Sequence, residues 1–485
     1  GYARRMSRRL VSPSLARALG IGILAALAAL GALPDLERTA SANGRPPGTS
    51  SIVFRRGHES DIIAGLTFGM AISHDGGATW HWMCDDALGI GNSAYDPIYS
   101  YTPAGTLFAT TLGGLIAMRD GCTFNPAPSG KAFVSAHALG PDGAFYYAAA
   151  QTAMNGFSSD FKIYRSIDDG MTFPVSAQPD DPGDVNVLWQ SIAVAPSNKL
   201  VVYLSGSRYI PVSPGSTETR RDYLLYRSDD GGASWAPQTP PAPTTQGLTL
   251  MPPNSLIHIV GIASDDSKHV YARVEYIDGM TTDALYVSND FGASWTQIHS
   301  QPDRFIAFVA RAALHMGHHD LLTTTLKFGT EISHDDGKTW APLANAPHIN
   351  TLTENAAGEL WAGTQNYGIG QAQSDDAGIM KTTDLSAWTK VLRYQDLVGP
   401  VAGCGADTVQ QKTCNQSTLW CGVCAQLGCT PSASYVCPIA ASEAPVTPPR
   451  TRGGCCDAGS GAGGPLALTL SVATLLWRPR RRSSR

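Results

Sequence analysis

An all-β fold, a seven-bladed β-propeller followed by a small disulfide-rich module, is predicted for this 485-residue chain by three observations. An octapeptide recurs along most of its length, short β-rich runs precede each copy, and six of the ten cysteines fall in one stretch near the C-terminus.

The octapeptide is clearest at Ser73–Trp80 (sequence SHDGGATW), Ser166–Phe173, Ser228–Trp235, Ser288–Trp295 and Ser333–Trp340. Two degraded copies, Ala117–Phe124 and Lys381–Trp388, fill the gaps with the acid one place later. Successive starts are 44, 49, 62, 60, 45 and 48 residues apart, a period that signals propellers or solenoids. The residues suit a tight turn between two strands. The side chains of Asp75, Asp168, Asp230, Asp290 and Asp335 can accept backbone N–H groups of their own turn, glycine supplies positive φ, and the closing Trp or Phe packs against a neighbouring sheet.

Ahead of each octapeptide lie runs such as Gly105–Thr111, Lys199–Ser205, His269–Glu275 and Glu359–Thr364, rich in strand-forming residues. A second run, such as Asp222–Arg227 or Ala284–Val287, ends at the octapeptide. Seven units of four short strands over residues 51–401 close into a ring that leaves only short edges. Pro211–Arg221 and Pro237–Pro253 lengthen blades four and five and read as long surface loops.

The pattern Ser-x-Asp-x-Gly-x-Thr-Trp resembles the Asp-box, or BNR repeat, of sialidases, sortilin-type receptors, some glucanases and many bacterial surface proteins. The resemblance implies a propeller with the acids in structural turns at the blade rims. It also raises a sialidase-like reading, in which a first-blade Phe/Tyr-Arg-Ile-Pro motif supplies the first of three arginines that clamp a substrate carboxylate. The first blade has Phe54-Arg55-Arg56-Gly57, with the Phe-Arg but without Ile-Pro. Tyr271, Arg273 and Glu275 alternate on one strand face. Arg55, Arg273 and Glu275 are therefore the hydrolase candidates, with mutual pairing of Arg273 and Glu275 the structural alternative.

Other chemistry is weaker. Charged residues make up 15% of the chain and its net charge is −5, which offers no broad basic surface for nucleic acid. There is no Gly-rich phosphate loop and no Gly-x-Ser-x-Gly motif, so neither cofactor nor nucleophile is expected. His315–Asp320 has metal-like composition but falls in an inter-strand turn, where a solvated loop is expected. Pro179–Asp184 lacks the spaced ligands and closing Glu of a calcium loop. No metal site is expected.

The two ends read as addresses. In residues 1–42, Arg4, Arg5, Arg8, Arg9 and Arg17 precede the apolar run Ala18–Leu33, and Ala40-Ser41-Ala42 forms a small-x-small cleavage site. At the other end, Cys455 and Cys456 precede a Gly/Ser stretch, the apolar Pro465–Trp477 and a run of arginines. This is similar to the MYXO-CTERM tail of exported myxobacterial proteins. The resemblance implies a sorting protease as partner and Cys455 or Cys456 as the processing or lipid-attachment point. As a helix the apolar run would span roughly 20 Å, short of the roughly 30 Å hydrocarbon core, so membrane contact is expected only through this tail or a lipid.

Cysteine usage fits an oxidising destination. Cys404, Cys414, Cys421, Cys424, Cys429 and Cys437 form an even cluster that implies three disulfides stapling a domain too small for its own core. The sequence does not choose among their connectivities. Cys84 and Cys122, in blades one and two, fit a bridge between adjacent blades. The module at 404–437 shares no repeat with the propeller, so reduction is expected to unfold it without melting the blades. Residues 438–454 are Pro-rich and read as a spacer. Two functional readings follow: a surface-attached propeller that binds a protein or carbohydrate ligand at the cell surface, or a propeller glycoside hydrolase.

Overall fold

The computed structural model describes residues 46–431 and Cys437, apart from short segments at 92–94, 129–132, 151–160, 180–186, 214, 243, 246–247, 250–254, 278–280, 316 and 369–372. The leader at 1–42, the spacer at 438–454 and the tail with Cys455 and Cys456 lie outside the described residues.

Seven antiparallel sheets follow one another along the chain, each a meander of successive strands. Blade five is representative, with strands Leu256–Ile262, Val270–Ile277, Thr281–Ser288 and Thr296–Gln301. The seven blades form a propeller, as the repeat predicts. Each octapeptide lies at the turn from the third to the fourth strand, including Ala117–Phe124 between Gly114–Met118 and Phe124–Pro126. First strands of neighbouring blades pack against one another around the ring and line its axis. Between blades, large side chains fill the gaps, with Trp361, Tyr146, Tyr147, Tyr203, Tyr271 and Phe108 almost fully buried.

Blade three departs from the four-strand pattern. Its sheet has three strands, and the fourth is reduced to a bridge between Tyr164 and Val175. Pro174, beside that bridge, has no N–H to extend the ladder. Blade four carries its extra length as paired strand. Asn198–Pro211 and Thr219–Ser228 run on as a hairpin, pairing as far as Pro211 with Thr219, so the expected loop narrows to the hairpin tip at 212–218.

Strands from both ends of the described chain close the ring. Thr49–Arg55 is the innermost strand of blade one, and Gly399–Pro400 adds a fifth, outer strand parallel to His81–Trp82. Between them, Thr49 Oγ1 donates to Gly378 O of blade seven at 2.8 Å and lies 2.8 Å from Tyr394 Oη.

The cysteines pair differently from expectation. Cys84 bonds Cys414 and Cys122 bonds Cys404, while Cys421–Cys437 and Cys424–Cys429 close locally. The Cys84–Cys122 bridge is therefore corrected, as is the picture of three disulfides confined to the module. The reason is topological. The segment after blade seven returns to the start of the ring, so Cys404 and Cys414 meet blades two and one across sequence separations of 282 and 330. The helix Ser417–Leu427 shares the hydrophobic core of blade one. Trp420 is fully buried, its ring centroid 5.4 Å from that of Trp82, and Gln410 Nε2 donates to Trp82 O. This segment has a core because it borrows one.

Candidate functional site

The octapeptide turns share one bonding scheme. In blade four Ser228 Oγ donates to Asp230 Oδ1 at 2.8 Å and accepts from Gly232 N at 2.7 Å. Asp230 also accepts from Ser234 N at 2.8 Å and from Ser234 Oγ at 2.6 Å. Asp75, Asp168, Asp290 and Asp335 repeat this pattern. Positions four and five are both left-handed, with φ of 70° and 86° at Gly231 and Gly232. The fifth glycine also abuts the preceding blade. A Cβ on Gly170 would lie 2.1 Å from the Phe108 ring, and one on Gly77 would meet Val391 and Trp361. In blades four and five the tryptophans then bond outward. Trp235 Nε1 donates to Ala177 O and Trp295 Nε1 to Thr239 O, each in the chain of the blade before.

In the two degraded copies the acid keeps its structural place. It lies two residues beyond the end of the third strand, as in every other blade: Met118 then Asp120, Thr382 then Asp384. Asp120 accepts from the N–H groups of Cys122 and Thr123, and Asp384 from those of Ser386 and Ala387. The octapeptide frame begins one residue later in these copies than the alignment suggests.

Hydroxyl and backbone donors of residue seven hold Asp75, Asp168 and Asp230 down to about 2. At Asp335 burial opposes, yet the same donors prevail and the carboxyl again falls to about 2. A depressed carboxyl contributes stability that is present above its unfolded value, near 3.8, and is lost as pH falls through the folded one. Circular dichroism is thus expected to show acid unfolding between about pH 4 and pH 2. Replacing Asp230 by Ala leaves its turn donors unpaired and is expected to cost about 1–2 kcal/mol in denaturant titration. Ligand binding should be unaltered.

The hydrolase candidates do not converge. Arg55 sits at the turn between the first and second strands of blade one, paired there with His58 in register. It bonds Asp61 at 3.0 Å and donates through Nε to Pro103 O at 3.1 Å, tying blade one to blade two. Glu275 pairs in register with Leu256, at the opposite end of the ring from the octapeptide turns. Arg273 spans Glu275 at 2.8 Å and Asp283 at 3.3 Å and donates to Phe305 O, and Arg304 adds a contact to Glu275 at 3.2 Å. Glu275 and Asp283 are 2% and 0% exposed, so these charges serve one another. Burial pushes Asp283 up to about 6 against the pull of Arg273, while burial and the charges of Arg273 and Arg304 hold His258 down at about 3.

The His315–Asp320 turn is also corrected, because it is not a solvated loop. His319 is 5% exposed, with Nδ1 3.1 Å from Asp336 Oδ1 and Nε2 3.0 Å from Asp265 Oδ1 of blade five. His318 contacts the other oxygen of Asp336. Among the described residues no cluster could hold a metal ion.

A cavity of about 560 Å³ opens on the axis. Each blade contributes a residue at or near the end of its first strand, such as Phe54, Tyr101, Leu139, Arg311 and Glu354. Antiparallel strands put the first-to-second turns at the same end as the octapeptides, so this is the octapeptide mouth of the channel. Arg311 donates to Glu354 at 2.8 Å and to Gly358 O at 2.9 Å, which leaves a fixed neutral pair in the wall. No local motif marks this site in the sequence, because each blade supplies one or a few of its residues.

No family profile and no curated protein matches the chain. Among solved structures, the chain is similar to an ancestral GH74 enzyme at 16% identity and a TM-score of 0.46, covering 65% of this chain and 43% of that one. For the GH74 xyloglucanase from Xanthomonas campestris the identity is 15%, the TM-score 0.36 and the coverage 73% and 59%. For the extracellular domain of a one-component system from B. thetaiotaomicron these values are 13%, 0.42, 66% and 38%. The chain therefore spans about half the length of the first two, and the likeness is one of propeller fold alone.

Proposed function

We propose that this protein is an exported, surface-attached propeller of the Asp-box type that binds a protein or glycan ligand without turning it over. One observation carries the reading. Arg55 lies at one end of the ring and Arg273 with Glu275 at the other, and each arginine is held by a carboxylate of its own blade. That arrangement supplies neither a carboxylate clamp nor two acids facing across a cleft. The blade-four hairpin meanwhile projects Tyr209 and Val212, each about half exposed, with Arg221 stacked over Tyr209. Tyr and Arg are the residues most enriched where binding energy concentrates. The reading includes processing near Asn43 and at Cys455 or Cys456 by a sorting protease, with attachment through the tail or a lipid.

Incubating the secreted protein with sialosides and β-glucans tests the absence of catalysis. All are expected to remain intact while a cell-surface protein or glycan is retained. Turnover abolished by changing Arg55 or Glu275 would replace this reading with the hydrolase one. For processing, mass spectrometry of the native protein should find a start near residue 43 and no Arg478–Arg485 peptide, and a retained tail would count against sorting.

A further inference from the structure

We propose that the axial cavity at the octapeptide mouth binds a neutral saccharide unit and discriminates against acidic sugars. This rests on the glycan arm of the binding reading. The Arg311–Glu354 pair is already satisfied. Arg56, in the first turn of blade one, and Glu59, at the start of its second strand, are not. Glu59 Oε2 is sheltered from solvent and has no hydrogen-bond partner, and its other oxygen has only a long 3.4 Å contact from Gly57 N. Arg56 lines the same cavity and makes no ion pair among the described residues.

A sheltered acceptor without a donor is costly unless a ligand supplies one. The cavity therefore asks for a donor at Glu59 and an acceptor at Arg56 on the same ligand. Its charges sum to zero: Arg56 and Arg311 against Glu59 and Glu354. A purely anionic ligand would satisfy Arg56 but leave Glu59 without a donor, and a purely cationic one the reverse. A hydroxyl both donates and accepts, so a neutral polyol satisfies both groups without net charge. The rest of the wall mixes apolar and aromatic side chains, Phe54, Tyr101 and Leu139 among them, with polar residues such as Ser100, Thr353 and Asn355. It suits the C–H face of a sugar ring, and the volume lies in the range of small-molecule sites. A sialoside's carboxylate would find one unpaired cation, Arg56, in a wall that also holds Glu59 and Glu354, short of the three arginines a sialidase-like clamp requires.

The test titrates the secreted protein with neutral trisaccharides (cello-, malto-, xylo- and N-acetylchitotriose), with sialyllactose and trigalacturonate, and with triglycine, following intrinsic fluorescence. Binding of at least one neutral trisaccharide is expected, about tenfold or more tighter than either acidic sugar. Glu59→Gln and Leu139→Trp should each weaken it by about tenfold, and Tyr209→Ala on the hairpin should not. Thermal melting checks folding, and Arg56→Ala, on an exposed turn, carries the same test if Leu139→Trp does not fold. Preference for an acidic sugar or triglycine overturns the inference, as does silence across the panel. Saccharide binding lost in Tyr209→Ala but kept in Glu59→Gln also overturns it, while leaving the broader binding reading intact.

Discussion

Replacing Cys84 and Cys414 together by Ala is expected to destabilise the whole propeller, not the C-terminal segment alone. The bond joins residues 330 apart. Chain-entropy estimates for a loop this long come to about 6 kcal/mol, and removal of native bridges from small domains typically costs about 2–5 kcal/mol. Cys122–Cys404 closes nearly the same loop, so deleting one bridge should cost about 2 kcal/mol and deleting both should approach the upper figure. Packing adds to the linkage. Trp420, Cys424 and Leu427 belong to the same buried cluster as Trp82 and Tyr394, so the helix cannot leave without opening the core of blade one. Guanidinium titrations with and without reductant should show one transition moving to lower denaturant. If reduction melts the 417–427 helix while the propeller midpoint stays put, the segment is an independent module after all.

This expectation reverses the one drawn from the cysteine spacing, and the reason bears on what a sequence can carry. The octapeptide is legible because every determinant of the turn lies within eight residues: Ser228, Asp230, Gly232 and Ser234 bond one another. Blade number and the position of each turn follow from its recurrence. The partner of Cys414 is set by where a ring of seven units returns, which no local pattern encodes. The frame of the degraded copies was hidden because alignment follows the closing aromatic, whereas the fold follows the end of the third strand.

Two legible signals went unused. An aromatic residue in the second strand, at Phe108, Tyr146, Tyr203 and Trp361, meets the fifth glycine of the next octapeptide. Where histidine occupies position two, an acid waits on the second strand, and His74 contacts Asp61 as His334 contacts Asp320. The axial cavity had no such signature, since its residues come from seven separate blades.

Removing the Arg273 guanidinium should be the most damaging single change among the charged groups, and its pH dependence separates structure from catalysis. Arg273→Met leaves Asp283, fully buried, with the Phe305 N–H at 2.8 Å as its donor, and leaves Glu275 to Arg304. Truncating one partner of a buried pair costs about 3–5 kcal/mol, because the other charge stays buried. The sign with pH follows from Asp283. Its carboxyl already lies above the ordinary value, at about 6, so protonation favours the folded state, and that stabilisation is lost as pH rises through the folded value. Without Arg273 the carboxyl rises further. The deficit should therefore be larger at pH 8 than at pH 5, and Asp283→Asn in the same chain should recover part of it at pH 8. Denaturant titration of the four proteins at both pH values gives the coupling directly. A variant as stable as the parent at pH 8 would mean that Arg273 is not the counter-charge of this buried acid. Its conspicuous place on the strand would then need a ligand to explain it.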